Sequence, residues 1–221
     1  MSASPAIPMS PEEHLLRLLF HVRDTARPDQ EGTRGQIAAT AIRLFTRLGY
    51  GGTSMRAIAA EVGIQAASIY SHFPGGKKQI LHEGLRDIYN DFLQHVTATL
   101  NPDMSQECQL GTLLERHVIW QLAAGDKALA WDAAYGGLGV YGVLDETELE
   151  DIATPHDLYH GYLQSLFAAR FGEAESARHT QVAILLCDNA HRFAEDGAAP
   201  ERTAQLIRDM TLHLASPEGL A

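Results

Sequence analysis

Between Thr33 and Phe73 the apolar residues fall at helical spacing and are broken twice by glycine, at Gly49 and Gly63, so this stretch has room only for short helices joined by tight turns. Thr33-x-x-Gln36 has capping-box spacing, Ile37, Ala38, Ala41, Leu44, Phe45 and Leu48 form one stripe, and Gly49 suits a left-handed C-cap, which predicts a helix over about 34–48. Thr53 or Ser54 caps a second, short helix with Met55, Ile58, Ala59 and Val62 on one face, closed by Gly63. A third is predicted from about Gln65 to Phe73, with Ile69 and Phe73 turned inward. Two short helices across a Gly-containing turn, here about 54–73, make a helix-turn-helix whose second member fits the ~12 Å major groove of B-DNA.

The charge of this stretch is opposite to that of the whole. From Thr33 to His82, Arg34, Arg43, Arg47, Arg56, Lys77 and Lys78 stand against Glu61 alone, a local +5 in a chain of 221 residues with a formal net charge of −11. A basic block in an acidic remainder fits a local contact with a polyanion. At 45% hydrophobic and 20% charged residues, the composition excludes a disordered chain. Cys108 and Cys187 form no C-x-x-C pair, which excludes a disulfide framework and a zinc ribbon and points to a reducing, cytoplasmic setting. The longest run without a charged residue, 15 residues from Val62 to Gly76, falls short of the ~20 apolar residues of a membrane span, so no membrane association is expected.

The rest of the chain also reads as helix, giving an all-α fold. Residues 1–30 are expected to be a disordered N-terminus carrying a short extra helix at about 11–26, where Ser10-x-x-Glu13 has capping-box spacing and Pro11 suits the first helical position. A long helix is predicted at about 78–99. Further helices are predicted at 105–124, 127–135, 145–153, 155–171, 174–196 and 200–214, with Thr154-Pro155 read as a break and a new start.

From Arg34 to Leu81 the sequence resembles the N-terminal domain of the tetracycline-repressor (TetR) family. The matching residues are Ile37, Ala41, Leu44-Phe45, Gly49-Tyr50, Thr53, Ile58-Ala59, Gly63-Ile64, Ser68-Ile69-Tyr70, His72-Phe73, Lys77 and Ile80-Leu81. Gln65 stands where that family usually has a serine N-cap, and Gly75-Gly76 lengthens the following loop by one residue. The resemblance implies a three-helix DNA-binding domain at about 31–91 and a helical effector-binding and dimerisation domain at 92–221. It implies that Ala66, Ala67, Ser68 and Tyr70 read bases, that Arg56 reaches a base from the preceding helix, and that Thr53, Tyr70, His72 and Lys77 touch phosphates; Gln65 and Ser71 complete the expected DNA-facing set. The implied function is a homodimeric, sequence-specific regulator, a repressor released from a palindromic operator on double-stranded DNA by a small, largely apolar effector.

Other motifs compete with this reading. Gly137-Leu138-Gly139-Val140-Tyr141-Gly142 matches G-x-G-x-x-G and Asp157 lies twenty residues after Gly137, but no strand precedes it, so no dinucleotide site is expected. His156 and His160 share a helix face but have no third ligand, so neither a metal nor a cofactor is expected. No nucleophile elbow is present, and no catalytic residue is assigned. A helical enzyme or a protein-interaction module fused to a helix-turn-helix is the alternative. His117, Trp120, Trp131, Tyr135, Tyr141, His156, Tyr159 and His160, with Tyr162, are the candidate effector-pocket residues, because aromatic walls with a few polar groups suit an apolar ligand. Val182, Leu185, Leu186, Ala190 and Phe193, then Leu206, Ile207, Met210 and Leu214, mark the last two helices as the expected dimer interface.

Overall fold

The computed structural model describes residues 9–25, 32–130 and 142–214. Among them no strand occurs. The main helices are α1 (Pro11–Thr25), α2 (Thr33–Gly52), α3 (Met55–Val62), α4 (Ala66–His72), α5 (Gly76–Thr97), α6 (Gln106–Ala124), α7 (Glu146–Phe171), α8 (Glu173–Asp188) and α9 (Pro200–Leu214). Residues 126–130 are also helical. Two compact units emerge, one from Thr25–Gln94 with Ala123–His156, the other from Met1–Asp24, His95–Leu122 and Asp157–Ala221. Trp131, Tyr135, Tyr141 and almost all of the G-x-G-x-x-G segment lie outside the described residues, as do residues 1–8 and 26–30 of the expected N-terminal segment.

In the first unit α2 begins one residue earlier than expected. Gly32 is its N-cap and makes no side-chain bond, so the expected Thr33–Gln36 capping box is not formed, Thr33 being already inside the helix; the Gln36 amide donates to the Gly32 carbonyl instead. Gly49 does interrupt α2, but with φ 77° and ψ 157° rather than as a left-handed cap, a combination essentially confined to glycine. Of the two expected caps, Ser54 rather than Thr53 caps α3, accepting from the Ala57 amide at 3.1 Å, and Gly63 closes the helix in the left-handed region at φ 80°, ψ 28°. α5 crosses α2 at Gly84, where a Cβ would stand 2.6 Å from Ile42 Cγ1. Only glycine fits that crossing.

In the second unit the Ser10–Glu13 box forms as expected, the Ser10 amide donating to Glu13 Oε2 at 2.8 Å and the Glu13 amide to Ser10 Oγ at 3.3 Å. α1 then buries Leu15 and Leu18 completely. α6 meets α7 through the Tyr162 hydroxyl, which donates to Gln109 Oε1 at 2.8 Å, and meets α9 through Arg208, paired with Glu115. Two expected boundaries are corrected. Helices at 145–153 and 155–171 are one helix with Pro155 inside it. A reciprocal box starts α7 (the Asp145 amide to Glu148 Oε2, 2.9 Å; the Glu148 amide to Asp145 Oδ1, 3.1 Å), and burial of Ile152, Tyr159, Tyr162, Leu163 and Phe167 along it outweighs the single backbone bond that proline removes. The helix expected at 174–196 stops at Asp188. Asn189 Nδ2 donates to the Leu185 carbonyl at 2.9 Å, which competes with the helical pattern, and a 3-10 turn follows at Ala190–Arg192.

Candidate nucleic-acid interface

α4 is seven residues long, below the length at which an isolated helix holds in water, so its neighbours must fix it. Ile69 and Phe73 anchor it in the core. That burial turns Gln65, Ala67, Ser68, Tyr70 and Ser71 outward as exposed residues, with Ala66 and His72 half-buried beside them, and half of the Tyr70 surface is open. Gln65 precedes the helix without a side-chain cap bond, and Ser71 Oγ donates to the Ser68 carbonyl at 2.7 Å. Arg56 on α3 is exposed and pairs with none of the described residues.

Two of the residues expected to touch phosphates bind the chain's own backbone. Thr53 is 2% exposed, and its hydroxyl is shared between the carbonyls of Leu44 (3.2 Å) and Gly49 (3.0 Å), so it serves the turn between α2 and α3 rather than a ligand. Lys77 Nζ donates to the carbonyls of Tyr50 (2.7 Å) and Thr53 (2.9 Å) and sits 4.1 Å from the Tyr50 ring centroid, which makes it the clasp of that same turn. The basic block is also less free than its count suggests. Arg43 pairs with Glu61 at 3.0 Å, Arg34 with Glu83 at 2.5 Å, and Lys78 with both Asp145 and Glu148, at 2.9 and 2.7 Å. Arg47 and Arg56 are the cations of the block left exposed without a partner among the described residues.

The family model for bacterial regulatory proteins of the tetR family matches residues 37–83, the span from α2 to α5. LmrA, an HTH-type transcriptional regulator from Bacillus subtilis (strain 168), is 41% identical over 56 residues, which are 25% of this chain and 30% of that relative's length. A tetR-family regulatory protein from Rhodococcus RHA1 superposes with a TM-score of 0.70 at 19% identity, covering 84% of this chain and 98% of its own. AibR, solved in complex with isovaleryl coenzyme A and operator DNA, gives a TM-score of 0.66 at 18% identity over 81% of this chain and 97% of its own. Residues 37–83 thus match the tetR-family DNA-binding domain, and the chain shares the fold of these solved structures.

Among the described candidates for an effector pocket, His117 and Tyr159 are brought together from different helices. His117 is buried, its Nδ1 2.9 Å from the Tyr159 hydroxyl and its Nε2 3.0 Å from Asp188 Oδ1, while Gln121 Nε2 donates to that same oxygen at 2.9 Å. Trp120 is buried on the same helix, and His160 lies edge-on to Tyr159 with ring centroids 6.1 Å apart. His156 belongs to the other compact unit and stacks obliquely on Tyr89, centroids 6.0 Å apart. Sequence reasoning missed Gln121 and Asp188. Gln121 was visible in principle, one helical turn after His117, whereas nothing in the spacing ties Asp188 to a residue 71 positions earlier. It also counted Arg34 only as charge, although its guanidinium donates to the His72 carbonyl at the end of α4.

Proposed function

We propose that this chain is a DNA-binding transcriptional regulator that acts as a homodimeric repressor and leaves its operator when a small, largely apolar effector binds. One observation carries the reading: α4 holds Ile69 and Phe73 in the core and presents Gln65, Ala67, Ser68, Tyr70 and Ser71 outward after a tight glycine turn, the form of a recognition helix. Ala66, Ala67, Ser68 and Tyr70 are its base readers and His72 lies at its edge. Exposed Arg56 reaches a guanine, a contact worth about 1–3 kcal/mol. Thr53 and Lys77 act by shaping the turn that presents α3. Residues from about 31 to 91 carry the DNA contacts, and those from 92 onward carry the effector site and the dimer contact.

Apolar surface on α8 and α9 supports dimerisation there: Leu185 is 63% and Leu206 47% exposed, and Val182, Leu186 and Met210 are half-buried, with Phe193 half-buried just after the 3-10 turn, whereas Ala190 and Ile207 close the subunit's own core. For the effector, AibR with its isovaleryl coenzyme A supports an acyl-thioester or a similar hydrophobic metabolite as the first class to try, with His117 and Tyr159 among the lining residues.

The test is enrichment of duplexes from a random-sequence pool, followed by gel-shift titration. The expected product is a palindrome whose half-sites lie about 34–36 Å apart, bound with an affinity that falls steeply with salt. Absence of any enriched sequence at low salt would overturn the reading, and a monomer in sedimentation at micromolar concentration would overturn the dimer.

A further inference from the structure

Arg34, in the first turn of α2, joins three elements of the helix-turn-helix unit. One guanidinium nitrogen donates to the His72 carbonyl at the end of α4, the other meets Glu83 Oε2 of α5 at 2.5 Å, and the face of the group lies 4.2 Å from the Phe73 ring centroid. Glu83 is itself held, its Oε1 accepting from Gln79 Nε2 at 2.8 Å. α4 has little else to set its direction: it is seven residues long, lacks a side-chain N-cap bond, and fully buries only Ile69 within its bounds. The Gly63 turn fixes where it starts. At its other end stand buried Phe73 and Arg34, which meets both that ring and the His72 carbonyl.

We propose that Arg34 is a positioning residue for the recognition helix: with Glu83 it clamps the C-terminal end of α4 and so sets the angle at which Ser68 and Tyr70 meet the bases, an inference that rests on the DNA-reading function proposed above. The work suits a guanidinium, which serves a carbonyl and a carboxylate through separate nitrogens while lying flat on a ring; an ammonium is a point charge with no such plane. The competing role is direct. The Arg34 side chain is 39% exposed and could itself meet a phosphate. The two roles give opposite signs at Glu83. If Arg34 clamps α4, neutralising Glu83 loosens the clamp and weakens sequence-specific binding; if Arg34 binds phosphate, the same change frees it and strengthens binding to every duplex.

Full-length wild type, Arg34→Ala, Arg34→Lys and Glu83→Gln are titrated at several salt concentrations against the duplex enriched by wild type and a scrambled duplex, and amide hydrogen exchange is followed at Phe73 and Gly76, whose N–H groups close the end of α4. Arg34→Ala is expected to lose roughly ten- to a hundredfold on the enriched duplex, as for a lost charged hydrogen bond, with little loss on the scrambled one and an unchanged salt slope. Arg34→Lys keeps the charge yet recovers little of the discrimination. Glu83→Gln shifts affinity in the same direction as Arg34→Ala, and the two amides exchange faster in all three variants. Equal loss on both duplexes with a salt slope smaller by about 0.9, tighter binding by Glu83→Gln, or unchanged exchange would each overturn the clamp. Should wild type enrich no duplex, the DNA function fails while exchange still decides the clamp, faster exchange supporting it. Should Arg34→Ala not fold, Glu83→Gln carries the same test.

Discussion

The helix-turn-helix and the α6–α8 cluster both bury polar atoms, and they bind them to different things. Around α3 and α4, side chains bind backbone: Lys77 to the carbonyls of Tyr50 and Thr53, Thr53 to those of Leu44 and Gly49, Arg34 to that of His72. Among α6, α7 and α8, the bonds from helix to helix run mainly between side chains: His117 to Tyr159 and Asp188, Gln121 to Asp188, Tyr162 to Gln109. Every residue has a carbonyl, so the first arrangement fixes the path of the chain and leaves the outward residues of α4 open to whatever a ligand requires. The second fixes identities, because each member needs a particular partner across the core.

The largest expected effect breaks the second arrangement. His117→Leu takes the Nδ1 partner from the buried Tyr159 hydroxyl and a donor from Asp188, whose one-third exposure lets water take over part of that role. A loss of about 2–4 kcal/mol in urea unfolding is expected. Because the members act together, combining His117→Leu with Tyr159→Phe should cost clearly less than the sum of the two single losses. Additive losses would show that the cluster is two independent contacts, and the contrast drawn above would fail on that side.

The backbone-binding side is broken at Lys77. Lys77→Met keeps the aliphatic stem over Tyr50 but strips the two carbonyls of their charged donor, and about 1.5–3 kcal/mol of unfolding free energy should go with it. Ser68→Ala and Tyr70→Ala, on the exposed face of α4, should stay within about 0.5 kcal/mol of wild type while changing DNA affinity. A stability loss at Tyr70 as large as at Lys77 would mean that the outward face is part of the fold.

What was legible in the sequence follows the same division. Gly63 announces its role locally, and the cap of α3 was narrowed to Thr53 or Ser54, because a cap and a left-handed turn depend on a few consecutive residues. Ile69 and Phe73 were readable as anchors from periodicity alone. Thr53 and Lys77 were found as important positions, but their backbone partners were not readable, since nothing in a sequence says that a hydroxyl or an ammonium meets a carbonyl up to 27 residues away. Pro155 and Asn189 misled in opposite senses: tertiary burial carries α7 through a proline, while one side-chain amide ends α8 early. Gly84 was silent, because a lone glycine in a helical pattern shows its cost and not its neighbour. Its neighbour is Ile42, and Gly84→Ala should lower stability by about 1–3 kcal/mol through overpacking, a loss that should shrink in an Ile42→Ala background, which removes both clashing atoms; an unchanged loss would place the strain elsewhere.

The smallest expected effect concerns a contact that belongs to neither arrangement. Lys78 reaches Asp145 at 2.9 Å and Glu148 at 2.7 Å on the surface, and the Lys78 hydrogen bond, followed by that from the Glu148 amide, holds the Asp145 carboxyl down at about 2, from an ordinary value of 3.8. A carboxyl whose folded value is depressed contributes stability that is fully present above its unfolded value and is lost as pH falls through the folded one. Acidification from about pH 4 toward 2 should therefore remove this contribution, and raising the pH above neutrality should leave it untouched. The groups are open to solvent, so the contribution is small and screened by salt. Asp145→Asn should flatten that part of the stability profile at low ionic strength, and about 1 M salt should do the same to wild type. If the slope survives both, the surface pair contributes nothing measurable and the acid sensitivity belongs elsewhere.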